Sequence, residues 1–141
     1  MRNALAIICG ALVGMAFVSA FDALAGRLFP FMSGVDFTDR AAVATAMQRT
    51  PVGAMAVLVF GTFAAALSGA FVARKVVTDS SRRPSYIVGG LLLVGVIANF
   101  VMLPHPLLMM IASPIVAIAG TLLGIRLAGA QSGARSIPSP T

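Results

Sequence analysis

Four apolar runs, each close to the length of a membrane-spanning helix, fill most of this chain and leave little room for any other architecture. They extend from about Leu5 to Ala25, Pro51 to Val72, Tyr86 to Leu103 and Pro106 to Leu127. Ser19 and Asp22 interrupt the first, the second carries no charge, Asn99 is the polar residue of the third, and the fourth reaches Arg126 near its end. About 20 predominantly apolar residues wound as an α-helix match the hydrocarbon thickness of a bilayer. A helix also satisfies its own backbone polar groups where no water is present. The composition agrees: 59% of the 141 residues are hydrophobic and 10% are charged, against about 25% charged in soluble proteins. A soluble domain of this size has no interior large enough for that much apolar surface. The expected fold is all-α: an integral membrane bundle of four transmembrane helices, with a short extracytoplasmic helix in the first loop. Residues 1–130 form the bundle and 131–141, rich in Ser, Pro and Gly, a disordered cytoplasmic tail.

Between the third and fourth runs stands Asn99-Phe-Val-Met-Leu-Pro-His-Pro106. Pro104 restricts the residue before it to extended backbone and so limits the third helix. Pro106 has the fixed φ that suits a helix start. The prolines therefore predict a tight corner of a helical hairpin.

The net charge is +6, and nine of the ten basic residues are arginines. On a soluble protein that balance suggests nucleic acid. Here it reads as topology, because basic residues in short loops are retained in the cytoplasm. With the N-terminus inside, the inner segments carry Arg2, Arg74, Lys75, Arg82, Arg83, Arg126 and Arg135, and the outer ones Arg27, Arg40 and Arg49. Seven against three favours both termini in the cytoplasm. Arg74, Lys75, Arg82 and Arg83 form a membrane-surface anchor that can meet anionic headgroups. The stretch ending Val18-Ser19-Ala20 has the small residues of a signal-peptide cleavage site. However, the apolar pattern continues past it through Phe21, Ala23 and Leu24, which favours a retained span.

Helices in lipid associate through close approach of small residues. Gly10 and Gly14 make such a row in the first span. The second has Gly61, Ala65, Gly69 and Ala73, and the fourth Gly120, Gly124 and Ala128. Packing within one bundle is the expected use, and a homodimer seam the other. Pro114 predicts a kink, with Ser113 placed to satisfy the Met110 carbonyl that the proline frees. In the first loop, residues 36–51 read as a short helix capped by Asp36 or Thr38, with Asp39 in its first turn. Phe37, Ala41, Ala44 and Met47 are its expected apolar face, lying on the membrane surface.

Ionisable or polar groups at membrane depth are candidates for function. Asp22, Asn99 and His105 all fall toward the outer ends of their segments, which predicts a small outward-facing polar pocket. In it Asp22 would take a hydrogen bond from His105 or a charge from Arg27 or Arg49, and Asn99 would line the floor. The competing reading is that each satisfies its own end of the bundle. No catalytic residues are assigned, since no nucleophile stands beside a base and no carboxylates are paired. The lone Cys9 rules out an intrachain disulfide. With one histidine and no cysteine pair, neither a metal nor another cofactor is expected.

The pattern resembles an uncharacterised family of small four-span bacterial inner-membrane proteins with a Pro-His-Pro corner before the last helix. The resemblance is carried by Pro30, Asp36, Asp39, Pro51, Gly61, Gly69, Ala73, Arg74, Asn99, Pro104, His105 and Pro106, and it covers most of Met1 to Ala130. Where that pattern commonly has a tryptophan two residues beyond the corner, this chain has Leu108. The resemblance implies the topology and the bacterial inner membrane, and it supplies no activity. The leading expectation is a non-enzymatic accessory or scaffold subunit acting through helix packing. Its partners would be the lipid bilayer and another copy or another membrane protein, with no nucleic acid. The alternative is a small transporter or channel built on the outward-facing polar pocket.

Overall fold

The computed structural model describes residues 2–77 and 81–133, with side chains to 129. The structure is all-α. Helix α1 spans Arg2–Leu28, α2 Arg40–Gln48, α3 Val52–Val76, α4 Arg83–Met102 and α5 Leu107–Gly133. Four of these, α1, α3, α4 and α5, are long and apolar enough to cross a membrane. Every one extends beyond its apolar run. α1 continues three residues past Ala25, α3 takes in Arg74 and Lys75, and α5 proceeds past the expected boundary at Ala130 to Gly133. A helix does not end where hydropathy ends, because its backbone bonds are indifferent to the side chains they carry. The expected tail beyond 133, with Arg135, and residues 78–80 lie outside the described residues.

α3 is the central helix. It packs along α1 on one side and α5 on the other, and α4 touches all three, whereas α1 and α5 do not meet. The glycine rows make these approaches possible. A Cβ on Gly10 would lie 2.6 Å from the Gly69 carbonyl oxygen and 3.0 Å from Val88 Cγ2, so α1, α3 and α4 converge there. Gly14 faces Leu92 of α4 and the Ala65 carbonyl of α3. On the other side of α3, Gly120 would meet the Phe63 carbonyl at 2.6 Å, and Gly124 rests on the Leu67 backbone. Gly61 accommodates Phe21, whose ring stands edge-on to Phe60 at 5.6 Å. Gly10, Gly14, Gly61, Gly69, Gly120 and Gly124 are thus all engaged within the chain, and Ala65 is buried beside them.

The two ends of the bundle differ. One carries the α3–α4 connection, with Lys75 over the Phe71 ring, Arg82 before α4 and Arg83 as its first residue. The other, the α2 end, carries the first loop and the α4–α5 corner. At that corner the prolines act as expected. Leu103 is extended (φ −130°, ψ 130°), and the Met109 and Met110 amides both donate to the Pro106 carbonyl. Pro114 sits inside α5 without ending it.

The first loop departs from the sequence reading in two ways. The cap of α2 is Asp39, whose carboxylate accepts from the Ala41 and Ala42 amides at 2.8 and 3.3 Å. Asp36 instead accepts from the Thr38 amide and hydroxyl, closing a turn that sets Asp39 at the helix start. The buried face also differs in part. Val43 is buried, Ala42, Ala44, Ala46 and Met47 are half-buried, and of the expected face Ala41 is exposed and Phe37 is 72% exposed. Phe37 precedes the helix, so helical spacing does not apply to it. The Arg40 guanidinium reaches the Met102 carbonyl at 3.5 Å and ties α2 to the end of α4.

Candidate functional site

Helix α4 meets α1 and α3 closely at Val88 and Leu92. Beyond that level, toward the α2 end, a cavity of about 570 Å³ opens. Its walls come from all four long helices: Met15 and Val18 of α1, Leu58 and Thr62 of α3, Leu91 and Gly95 of α4, Met109 of α5. Phe31 and Met32 of the first loop and Met47 of α2 complete it. Its polar lining is small: Asp22, Thr62, Asn99, His105 and Ser113.

Asp22, Asn99 and His105, brought together in the sequence reading only by topology, all line this one cavity. They lie at different depths. Asp22 is six residues inside the end of α1, because the helix reaches Leu28. At 1.5 Å per residue that is about 9 Å below the helix end. Asn99 is three residues from the end of α4, and His105 is in the corner itself. Ser113 is six residues into α5, about 9 Å along that helix.

The bonds among these groups are only partly those expected. His105 is 8% exposed, and its Nδ1–H donates to the Leu103 carbonyl at 2.8 Å. Nε2 is thereby left as an acceptor, facing the Asn99 amide nitrogen at 3.5 Å. The Phe100 ring stands edge-on to the imidazole at 5.0 Å. Two hydrogen bonds, the Asn99 one long, and one ring contact thus hold the histidine in the corner, and the Leu103 carbonyl fixes its tautomer. Asp22 joins neither residue. Among the described residues it has no hydrogen bond and no ion pair, and the expected bond from His105 and charge from Arg27 or Arg49 are not formed. The physical reason is commitment: His105 Nδ1–H is spent on the corner, and neither Arg27 nor Arg49 lines the cavity.

The sequence reading placed neither Ser113 nor the methionines in this site. Ser113 is 3% exposed, lines the cavity and forms no hydrogen bond among the described residues, so the expected bond to the Met110 carbonyl is absent. Thr62 and Thr121, by contrast, donate back to the carbonyl four residues earlier. Met15, Met32, Met47 and Met109 contribute four thioethers to the lining. Methionine is unbranched and polarizable, and it lets a wall adapt to irregular shapes. No spacing signal joins these four residues, because they come from four separate segments.

Among the described residues no group of three or more His, Cys, Asp or Glu could hold a metal ion. The arrangement offers instead a largely apolar chamber with a few oriented polar atoms, the usual make-up of a small-molecule site. No family model, no curated protein and no solved structure matches this chain.

Proposed function

We propose that this chain is a small, non-enzymatic, multi-pass protein of the bacterial inner membrane that binds a small, largely apolar molecule in the cavity at the α2 end. The observation that carries this reading is the cavity itself. Its volume of about 570 Å³ falls within the roughly 300–1,000 Å³ of ligand pockets. It has polar groups at graded depth, and it stops at the level where Gly10, Gly14, Val88 and Leu92 close the bundle. A space that ends at a closed level of the bundle suits a binding site or one state of a carrier better than an open channel.

Membrane insertion is supported by the surface of the helices. Only 17% of the apolar window of α1, and 17% of that of α4, is buried in the protein. Large apolar side chains such as Leu12, Val94 and Val101 point outward, where lipid suits them and water does not. The basic residues at the ends of α3 and α4 favour a cytoplasmic location for that end, and in that orientation both termini lie beside it and the cavity faces outward. The resemblance to four-span bacterial proteins with a Pro-His-Pro corner supports the same membrane. An accessory role through helix packing draws less support, because the small-residue rows that suggested it are occupied inside the chain.

Gly95 provides the test. It lines the cavity, and a Cβ there would meet nothing within 4 Å. Gly95→Phe therefore fills the chamber without displacing backbone. Gly90→Phe, equally free of contacts and outside this cavity, is the matched control. In lipid nanodiscs, the neutral probe N-phenyl-1-naphthylamine should bind saturably above empty discs to the wild type and to Gly90→Phe, and lose that binding in Gly95→Phe. Equal binding by both variants would refute the cavity as the site.

A further inference from the structure

Resting on the cavity reading, we infer that its ligand is a hydrophobic organic cation whose counter-ion is the Asp22 carboxylate. The charges decide it. Asp22 is the one ionisable carboxyl in the lining, and no lysine or arginine lines the cavity. Three cations share this end of the bundle, Arg27, Arg40 and Arg49. None pairs with Asp22, and the Arg40 guanidinium is turned to the Met102 carbonyl. Asp36 and Asp39, the other acidic residues at this end, accept from the amides and hydroxyl of the first loop and lie outside the cavity. The chamber thus holds one carboxyl group, that of Asp22, with no hydrogen bond or ion pair among the described residues.

That carboxyl selects among ligands. A molecule filling the chamber displaces the water around Asp22. A neutral or anionic occupant leaves the Asp22 carboxyl either to stand as an uncompensated charge or to take up a proton, and both cost free energy. A cation replaces the lost hydration with a direct attraction, strengthened by low-dielectric walls. Phe31 and Phe100 also line the chamber, and aromatic rings attract cations. The Ser113 hydroxyl, 3% exposed and without a partner among the described residues, offers an oxygen in the same chamber. The apolar body of the ligand lies against Met15, Met32, Met47 and Met109.

Tetraphenylphosphonium and tetraphenylborate separate charge from shape, since they are near-identical in size and opposite in sign. Each would be measured by equilibrium dialysis against the full-length protein in nanodiscs, with empty discs subtracted. The phosphonium should bind saturably and the borate should not. Asp22→Asn should weaken the phosphonium about tenfold or more, while the neutral N-phenyl-1-naphthylamine binds as well as before or more tightly, since the charge it had to leave uncompensated is gone. Binding of both ions alike, or phosphonium binding indifferent to Asp22→Asn, would overturn the cation inference and leave the cavity reading standing. Absence of phosphonium binding with retained naphthylamine binding would do the same. Loss of naphthylamine binding in the wild type would sink the cavity reading itself.

Discussion

Replacing Gly120 by alanine should push α5 away from α3, and the structure gives the size of the effect. The new Cβ would stand 2.6 Å from the Phe63 carbonyl oxygen, 3.2 Å from Ala66 Cβ and 3.2 Å from the Leu67 amide nitrogen. Two of these three neighbours are backbone of α3, which has no rotamer to change. Reaching ordinary contact at 3.4 Å requires the helices to part by about 0.8 Å at this level. A gap of that order forfeits roughly a quarter to a half of the dispersion attraction of each facing atom pair. Overpacking of this kind costs about 1–3 kcal/mol. Alanine also gains up to about 1 kcal/mol over glycine in helix propensity, so the reference must carry that gain too. Gly90→Ala does, because nothing lies within 4 Å of a Cβ at Gly90. The expected result is that Gly120→Ala is less stable than Gly90→Ala by about 1–3 kcal/mol. Reversible unfolding in mixed dodecyl maltoside and dodecyl sulfate micelles measures it. Superimposable curves for the two variants would refute the claim that this glycine row is a contact seam within the chain.

Two further predictions concern the first loop. Asp39→Ala removes the side-chain acceptor for the Ala41 and Ala42 amides; a lost cap of about 1 kcal/mol should speed hydrogen exchange at those two amides roughly fivefold and leave α3 and α5 amides unchanged. The hydrogen bonds from the Thr38 hydroxyl and amide hold the exposed Asp36 carboxyl below the usual carboxylate range. Since its folded value is depressed, the turn it closes is fully supported above the unfolded value. That support is lost only as pH falls through the lowered folded value, and the Thr38 amide shift followed by NMR titration should move there and not near pH 4 or above.

The corner and the loop show how much of this protein was readable before folding. Pro104 and Pro106 act through their own ring geometry, so the hairpin corner followed from the chain alone. The four long helices followed for a similar reason: each is long enough and apolar enough to require a self-contained backbone. Even the gathering of Asp22, Asn99 and His105 at one end was legible, because an up-and-down topology sends alternate helix ends to the same side. Side chains facing one another across helices were not legible. All four long helices are apolar around most of their circumference, so hydropathy carries no contrast to say which face turns inward. The glycine rows alone marked the contact lines, and they did so without naming partners.

Tertiary structure decided the rest. It made α3 the central helix, converged α1, α3 and α4 at Gly10, Gly69 and Val88, and opened the chamber beyond that level. It committed His105 to the Leu103 carbonyl, left Asp22 without a hydrogen bond or ion pair among the described residues, and brought Ser113 and four methionines from separate segments to one chamber. None of these has a signature in local spacing, because each depends on distances between segments that only packing sets. The sequence by itself determined which groups reach the same end of the bundle. Helix packing determined that Asp22, unpaired among the described residues, lines a chamber large enough for a ligand.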